Sequence, residues 1–139
     1  MRRCVCGKFI PEAWQMDGIQ SREDYLETIF IISKEQQSVR NADIAARLGF
    51  ARASVSIAVK KLAAEGFVSV DGNSRITLTE KGTAIAQNVY EKHLILTHIL
   101  KSLGVSTSQA ETDACRLEHC LSDESFGRIC EYYLEHLKR

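Results

Sequence analysis

Residues 39–79 leave this chain little choice of local architecture. Asn41 or Asp43 can open a short helix whose apolar positions, Ile44, Ala45 and Leu48, stop at Gly49, the residue type at which a helix ends at least cost. A few residues on, Val55, Ala58, Val59 and Leu62 recur at helical spacing, pointing inward, and stop at Gly66, so a second short helix follows the first around a glycine-containing turn. From Phe67 to Thr79, apolar and polar residues alternate on either side of Asp71-Gly72-Asn73. That is the pattern of a two-stranded hairpin, with Arg75 near its tip. Two helices about a turn followed by a ribbon make a winged helix-turn-helix.

The outer face of the second helix carries Arg52, Ser54, Ser56, Lys60 and Lys61. A short, polar, basic face lets a helix sit close in a major groove, with hydroxyls reaching base edges or phosphates and cations neutralising backbone charge. The charge distribution points the same way. The whole chain balances 18 basic against 18 acidic residues, yet residues 39–82 hold seven basic side chains (Arg40, Arg47, Arg52, Lys60, Lys61, Arg75, Lys81) against four acidic (Asp43, Glu65, Asp71, Glu80). Residues 106–139 hold four basic against seven acidic. A basic module joined to an acidic one suggests a polyanion partner for the first and cations for the second. The candidate contacts to double-stranded DNA are Arg40, Arg52, Ala53, Ser54, Ser56, Lys60, Lys61 and Arg75. The plain alternative at these positions is a solvated basic face.

Upstream, the spacing predicts a first helix from Ser21, with Asp24 three positions on as in a capping box and with Tyr25, Ile29 and Ile32 at helical intervals. Asp24 and Glu27 lie at i, i+3 on its other flank. Two neighbouring carboxylates repel unless solvent or a cation lies between them, although an ordinary acidic first turn favoured by the helix dipole has the same pattern. Downstream, Thr79 caps a long helix that runs to about Leu103 and ends at Gly104. It carries His93 and His98, whose separation puts them on different faces, so at most one belongs to any given site; His93 is the favoured one. A further helix is expected from Ser106 to about Leu121, and a last one from Ser122, Asp123 and Glu124 to the C-terminus.

If the stretch 113–123 is helical, Cys115, Glu118 and His119 fall at i, i+3 and i+4. A thiolate, a carboxylate and an imidazole then share one face, a donor set that suits a divalent transition metal. The bland counterpart is a solvated Glu-His pair beside a small core cysteine. An enzyme is not expected, because Cys115 with His119 as its base is a poor nucleophile pair when Glu118 occupies the same face. A winged-helix regulator sensing redox state or a small molecule through Cys115, Cys120 or Cys130 is the alternative function. Five cysteines at positions 4, 6, 115, 120 and 130 form no disulfide framework and fit a reduced, cytoplasmic setting. No apolar run approaches the roughly 20 residues of a membrane helix, and the N-terminus lacks the features of a secretory signal. Residues 1–20, with Cys4 and Cys6, are expected to be a poorly ordered extension without a metal site.

In this order the pieces resemble the diphtheria toxin repressor family of metal-dependent transcriptional regulators, which includes the manganese transport regulators. The likeness runs from about Ser21 to Tyr133. It rests on Glu23-Asp24-Tyr25-Leu26-Glu27-Thr28-Ile29, on Ala42-Asp43-Ile44-Ala45-Ala46-Arg47-Leu48, on Leu78-Thr79-Glu80-Lys81-Gly82, on Lys92-His93-Leu94, and on residues 113–119 with Leu121-Ser122-Asp123. The resemblance implies a mainly α protein in the short, two-domain form: an N-terminal winged helix-turn-helix domain over residues 21–82 and a C-terminal helical metal-binding and dimerisation domain over 83–139. It implies metal ligands at Asp24, Glu27, His93, Cys115, Glu118 and His119, a homodimer on a palindromic operator, and repression of metal-uptake genes. The iron-responsive branch usually pairs the Cys with a Met where this chain has Asp24. The manganese-responsive branch usually has that Asp but a Glu where this chain has Cys115. A thiolate favours Fe(II) and later metals over Mn(II), whereas three carboxylates and a histidine suit Mn(II) or Fe(II), so the expected cofactor is Fe(II), with Mn(II) close behind. Like charges ~4 Å apart repel by roughly 4 kcal/mol at an effective dielectric of about 20, so a cation is expected to turn a repulsive cluster into a link between the first helix and the helices behind it.

Overall fold

The computed structural model describes residues 2–3, 9–10 and 18–137. In chain order it contains β1 (Arg2–Arg3), β2 (Phe9–Ile10), α1 (Gly18–Glu35), α2 (Asn41–Leu48), α3 (Arg52–Ala64), β3 (Val68–Val70), β4 (Ile76–Leu78), α4 (Glu80–Ser102), α5 (Thr107–Leu117), α6 (Asp123–Tyr132) and a closing π-helical turn, Tyr133–Leu137. The protein is thus mainly helical. It divides into two compact units, residues 1–88 and 89–139, with α4 running from one into the other. Within the stretch expected to be a poorly ordered extension, Arg2–Arg3 pairs antiparallel with Phe9–Ile10 and residues 18–20 already belong to α1. The rest of that stretch, including Cys4 and Cys6, lies outside the described residues.

The first unit is the predicted helix-turn-helix and ribbon. Leu26 and Ile29 of α1, Ile44 and Leu48 of α2, Val55, Val59 and Leu62 of α3, and Phe67, Val68 and Ile76 of the ribbon are all buried. Ala58, expected inward, is half-buried. At the start of α2 the Arg40 amide donates to Asp43 Oδ2 at 2.9 Å, a side-chain bond that satisfies one of the donors left over before a helix begins. The helix stops at Gly49, whose φ of 73° is left-handed. The ribbon pairs Val68 with Leu78, Ser69 with Thr77 and Val70 with Ile76, and the Ile76 amide donates to Val39 O at 2.8 Å. At its tip, Asp71 Oδ1 accepts from the amides of Asn73 (2.8 Å) and Arg75 (2.9 Å). That local turn lowers the Asp71 carboxyl below its ordinary range, with the Arg75 amide as the largest cause.

Thr79 performs the capping role expected of it. Its Oγ1 accepts from the Gly82 amide at 3.2 Å and donates to Gly66 O at 2.7 Å, so one side chain starts α4 and fastens it to the end of α3. By contrast, α1 begins at Gly18, three residues before Ser21, so Ser21 is not its cap. Between Gly18 and Ser21 there is no Pro or further Gly to stop the helix extending toward the N-terminus.

In the second unit, Gly104 takes a φ of 96° and the Ser106 hydroxyl accepts from the Gln109 amide at 3.3 Å to cap α5. That helix stops at Leu117, not near Leu121 as the spacing suggests, with Glu118 as its C-cap. The cause lies in the next element. Ser122 caps α6 through its hydroxyl, which accepts from the Ser125 amide at 3.1 Å, and this needs the extended backbone it adopts at φ −67°, ψ 158°. Ser122 therefore cannot belong to α5, which has to end before it. Lys92 on α4 reaches Asp123 Oδ1 at 3.3 Å. Among the described residues, no helix is long and apolar enough to cross a membrane.

Candidate metal centre and DNA-reading face

Three of the candidate ligands converge within the second unit. His93 on α4 places Nδ1 at 3.0 Å from Glu118 Oε2 and 3.5 Å from Cys115 Sγ. On the far side of the same carboxylate, His119 Nε2 lies 3.3 Å from Glu118 Oε1. His93, Cys115 and Glu118 each offer a donor atom within 4.8 Å of the others, and all three residues are buried. Glu118 is only 2% exposed, and a buried carboxylate is retained when cations or strong donors surround it.

The spacing passes a simple test for a metal. Two ligands at ~2.1 Å from one ion, at angles between octahedral and tetrahedral, stand about 3.0–3.4 Å apart, and a thiolate at ~2.3 Å stands slightly farther. The observed 3.0 and 3.5 Å fall in that range. The helix end assists: Cys115 remains on α5, while Glu118, at φ −59° and ψ −23°, keeps helical backbone as its C-cap. The expected i, i+3 relation between them therefore survives although the helix is short, and His119 belongs to the turn that follows. Cys115 is disulfide-bonded in this structure, so its sulfur becomes a ligand only on reduction to the thiolate.

Asp24 and Glu27 sit on α1, in the first unit, 4% and 0% exposed. Since α1 begins at Gly18, neither lies in its first turn, and the ordinary acidic first turn offered by the sequence does not explain them. His98 is separated from His93 as its spacing requires: its Nδ1 meets the Tyr133 hydroxyl, with the rings edge-on at 5.7 Å between centroids.

Of the candidate DNA contacts, Arg52, Ala53, Ser54, Lys60, Lys61 and Arg75 are exposed. Ser56 is half-buried. Arg40 is exposed but engaged, its Nη1 donating to Asn73 O at 3.0 Å, which ties the start of α2 to the ribbon tip. The sequence pattern missed Ile57, which is 70% exposed although apolar. The sign was its neighbours: residues three and four away in both directions are Ala53, Ser54, Lys60 and Lys61, all on the outer face.

Comparison with known proteins agrees with both units. Residues 19–75 match the N-terminal DNA-binding domain of the iron-dependent repressors, and residues 79–139 match the metal-binding and dimerisation domain of the same family. An uncharacterised HTH-type transcriptional regulator of Methanocaldococcus jannaschii is 36% identical over 121 residues, covering 86% of this chain and 96% of that protein. The transcriptional regulator MntR of Salmonella typhimurium is 34% identical over 114 residues, covering 82% of this chain and 73% of that one. The solved structure of the manganese regulator SloR superposes with a TM-score of 0.72 at 31% identity, covering 81% of this chain and 53% of the other, so the chain spans about half the length of that protein. With both halves matched, this chain belongs to the iron-dependent repressor, or diphtheria toxin repressor, family of metal-dependent transcriptional regulators.

Proposed function

We propose that this chain is a metal-dependent transcriptional repressor that binds a palindromic operator as a homodimer when Fe(II) or Mn(II) is present, and so silences metal-uptake genes. The observation that carries this is the convergence of the His93, Cys115 and Glu118 donors at coordination spacing in a buried position. His119, one residue on, is a further ligand. Asp24 and Glu27 supply carboxylates from α1; their i, i+3 spacing and their burial, far from the helix start, support that role. A bound ion would neutralise the acidic donors. The family is described by iron dependence and SloR as a manganese regulator; iron suits both the Cys115 thiolate and the carboxylate and histidine donors, manganese only the latter.

The test is fluorescence anisotropy of a labelled duplex, recovered by selection from a random pool, titrated with the protein under reducing conditions. Affinity is expected to rise about 10- to 100-fold with Fe(II) or Mn(II) over chelator, the usual range of allosteric coupling. Equal affinity in both would end the proposal. A second possibility, redox control, is favoured by the disulfide at Cys115, and operator binding that follows peroxide while ignoring chelator would select it.

For the dimer, α4, α5 and α6 leave an apolar groove of about 490 Å³ lined by Leu96, Ile99, Leu100, Leu103, Leu117 and Ile129. Leu103 is 67% exposed there. Its occupant is a second copy of the chain, since the groove falls within the segment matching a dimerisation domain. In a two-fold interface each substitution counts twice, so Leu103→Asp should raise the dimer dissociation constant on the order of 100-fold or more by burying two unpaired charges. Sedimentation velocity reads this directly, and an unchanged dimer would place the interface elsewhere.

A further inference from the structure

We propose that Ile57 reads a thymine in the operator, its side chain lying against the C5 methyl group in the major groove; this rests on the repressor function above and adds to it a residue that sets sequence preference. Ile57 is the most exposed of the large apolar side chains described. A β-branched residue at a solvent-facing helix position gains nothing from burial and is a weaker helix former than Ala, Lys or Glu, so folding gives no reason for it there. Its surroundings do. One turn toward the N-terminus stand Ala53 and Ser54, small enough to let the helix approach a groove floor closely; one turn toward the C-terminus stand Lys60 and Lys61, long enough to reach phosphates, and all four are exposed. Val55, Val59 and Leu62 belong to the buried side.

The patch is thus one apolar side chain framed by two small residues and two cations. A protein partner would call for a broader apolar surface than a single isoleucine offers. A major groove presents one apolar feature to such a helix, the thymine methyl, which sets A·T pairs apart from G·C pairs for a side chain that cannot hydrogen-bond. The basic frame supplies the sequence-independent attraction, and Ile57 supplies preference at one position of each half-site.

The test uses the full chain with Mn(II) and reductant. Duplexes selected from a random pool by wild type, Ile57→Ala and Ile57→Gln are compared, and each thymine of the wild-type duplex is then replaced in turn by deoxyuridine, which lacks only the methyl. At one symmetric pair of positions, wild type should lose about 3- to 5-fold per half-site on deoxyuridine substitution, the effect of one buried methyl-sized contact. Ile57→Ala should be indifferent at that pair and normal at every other thymine, whereas Ile57→Gln should come to prefer adenine there, which its amide can pair with. If wild type and Ile57→Ala lose equally at every thymine, the assignment to Ile57 is wrong while the repressor function stands. If wild type with Mn(II) enriches no sequence at all, both fall together.

Discussion

Replacing Glu118 by Gln is expected to lower Mn(II) affinity by at least about 100-fold and to abolish the metal-dependent gain in DNA binding, while leaving the metal-free protein nearly as stable as wild type. The two halves of this expectation have different causes. Altering residues that merely support metal ligands commonly costs 10–100-fold in affinity, and Glu118 is a candidate ligand itself, standing between His93 Nδ1 at 3.0 Å and His119 Nε2 at 3.3 Å. Gln keeps the shape but removes the charge and leaves a far weaker donor for a hard cation. In the metal-free protein, the same change removes a carboxylate that is 2% exposed and leaves a neutral amide as the hydrogen-bond partner of His93 Nδ1. Gln keeps a hydrogen-bonding group at the same place and relieves the cost of burying a charge, so a shift of only about 1 kcal/mol is expected. Isothermal titration with Mn(II) and melting curves with and without the ion separate the effects. Wild-type affinity in Glu118→Gln would remove Glu118 from the centre.

The parts of this fold that were legible in the sequence are those where one residue type does a job no other does cheaply. Gly49 and Gly66 both take left-handed backbone where the helices were expected to stop, and the Asp71 side chain organises the ribbon tip that Asp71-Gly72-Asn73 announced. Thr79 caps α4, and the five-residue gap between His93 and His98 separates them as helical geometry demands. What could not be read had its cause elsewhere in the chain. The end of α5 is bounded by the cap that Ser122 makes for the following helix, and no Gly or Pro inside 115–121 marks where it falls. The start of α1 had no breaker to define it. Ile57 breaks the pattern in which apolar residues of α3 face inward and polar ones outward, a rule that fails at a surface whose partner is itself partly apolar. That Cys115 is disulfide-bonded could not be read either, because irregular cysteine spacing does not fix pairing.

Gly82→Ala should be among the most damaging single substitutions in the chain. In the interior of a solvent-facing helix, Gly→Ala ordinarily stabilises by up to about 1 kcal/mol. At Gly82 the sign reverses. A Cβ there would fall 2.0 Å from Phe67 O, 3.0 Å from Phe67 C and 3.3 Å from Leu78 Cδ2, and the first two atoms are backbone. Phe67 cannot swing aside: its amide donates to Leu62 O at 3.0 Å and its carbonyl accepts from the Thr79 amide at 3.0 Å. Relief requires moving the start of α4 away from the ribbon by more than 1 Å, the kind of overpacking that costs ~3 kcal/mol or more. For a unit of this size each 1 kcal/mol moves the melting temperature by ~4–8 °C, so the loss should exceed about 10 °C. Gly127 in α6 is the control, because a Cβ there meets nothing within 4 Å; Gly127→Ala should hold or raise the melting temperature. Should the two variants melt together at or above wild type, the close approach of α4 to Phe67 does not exist in solution.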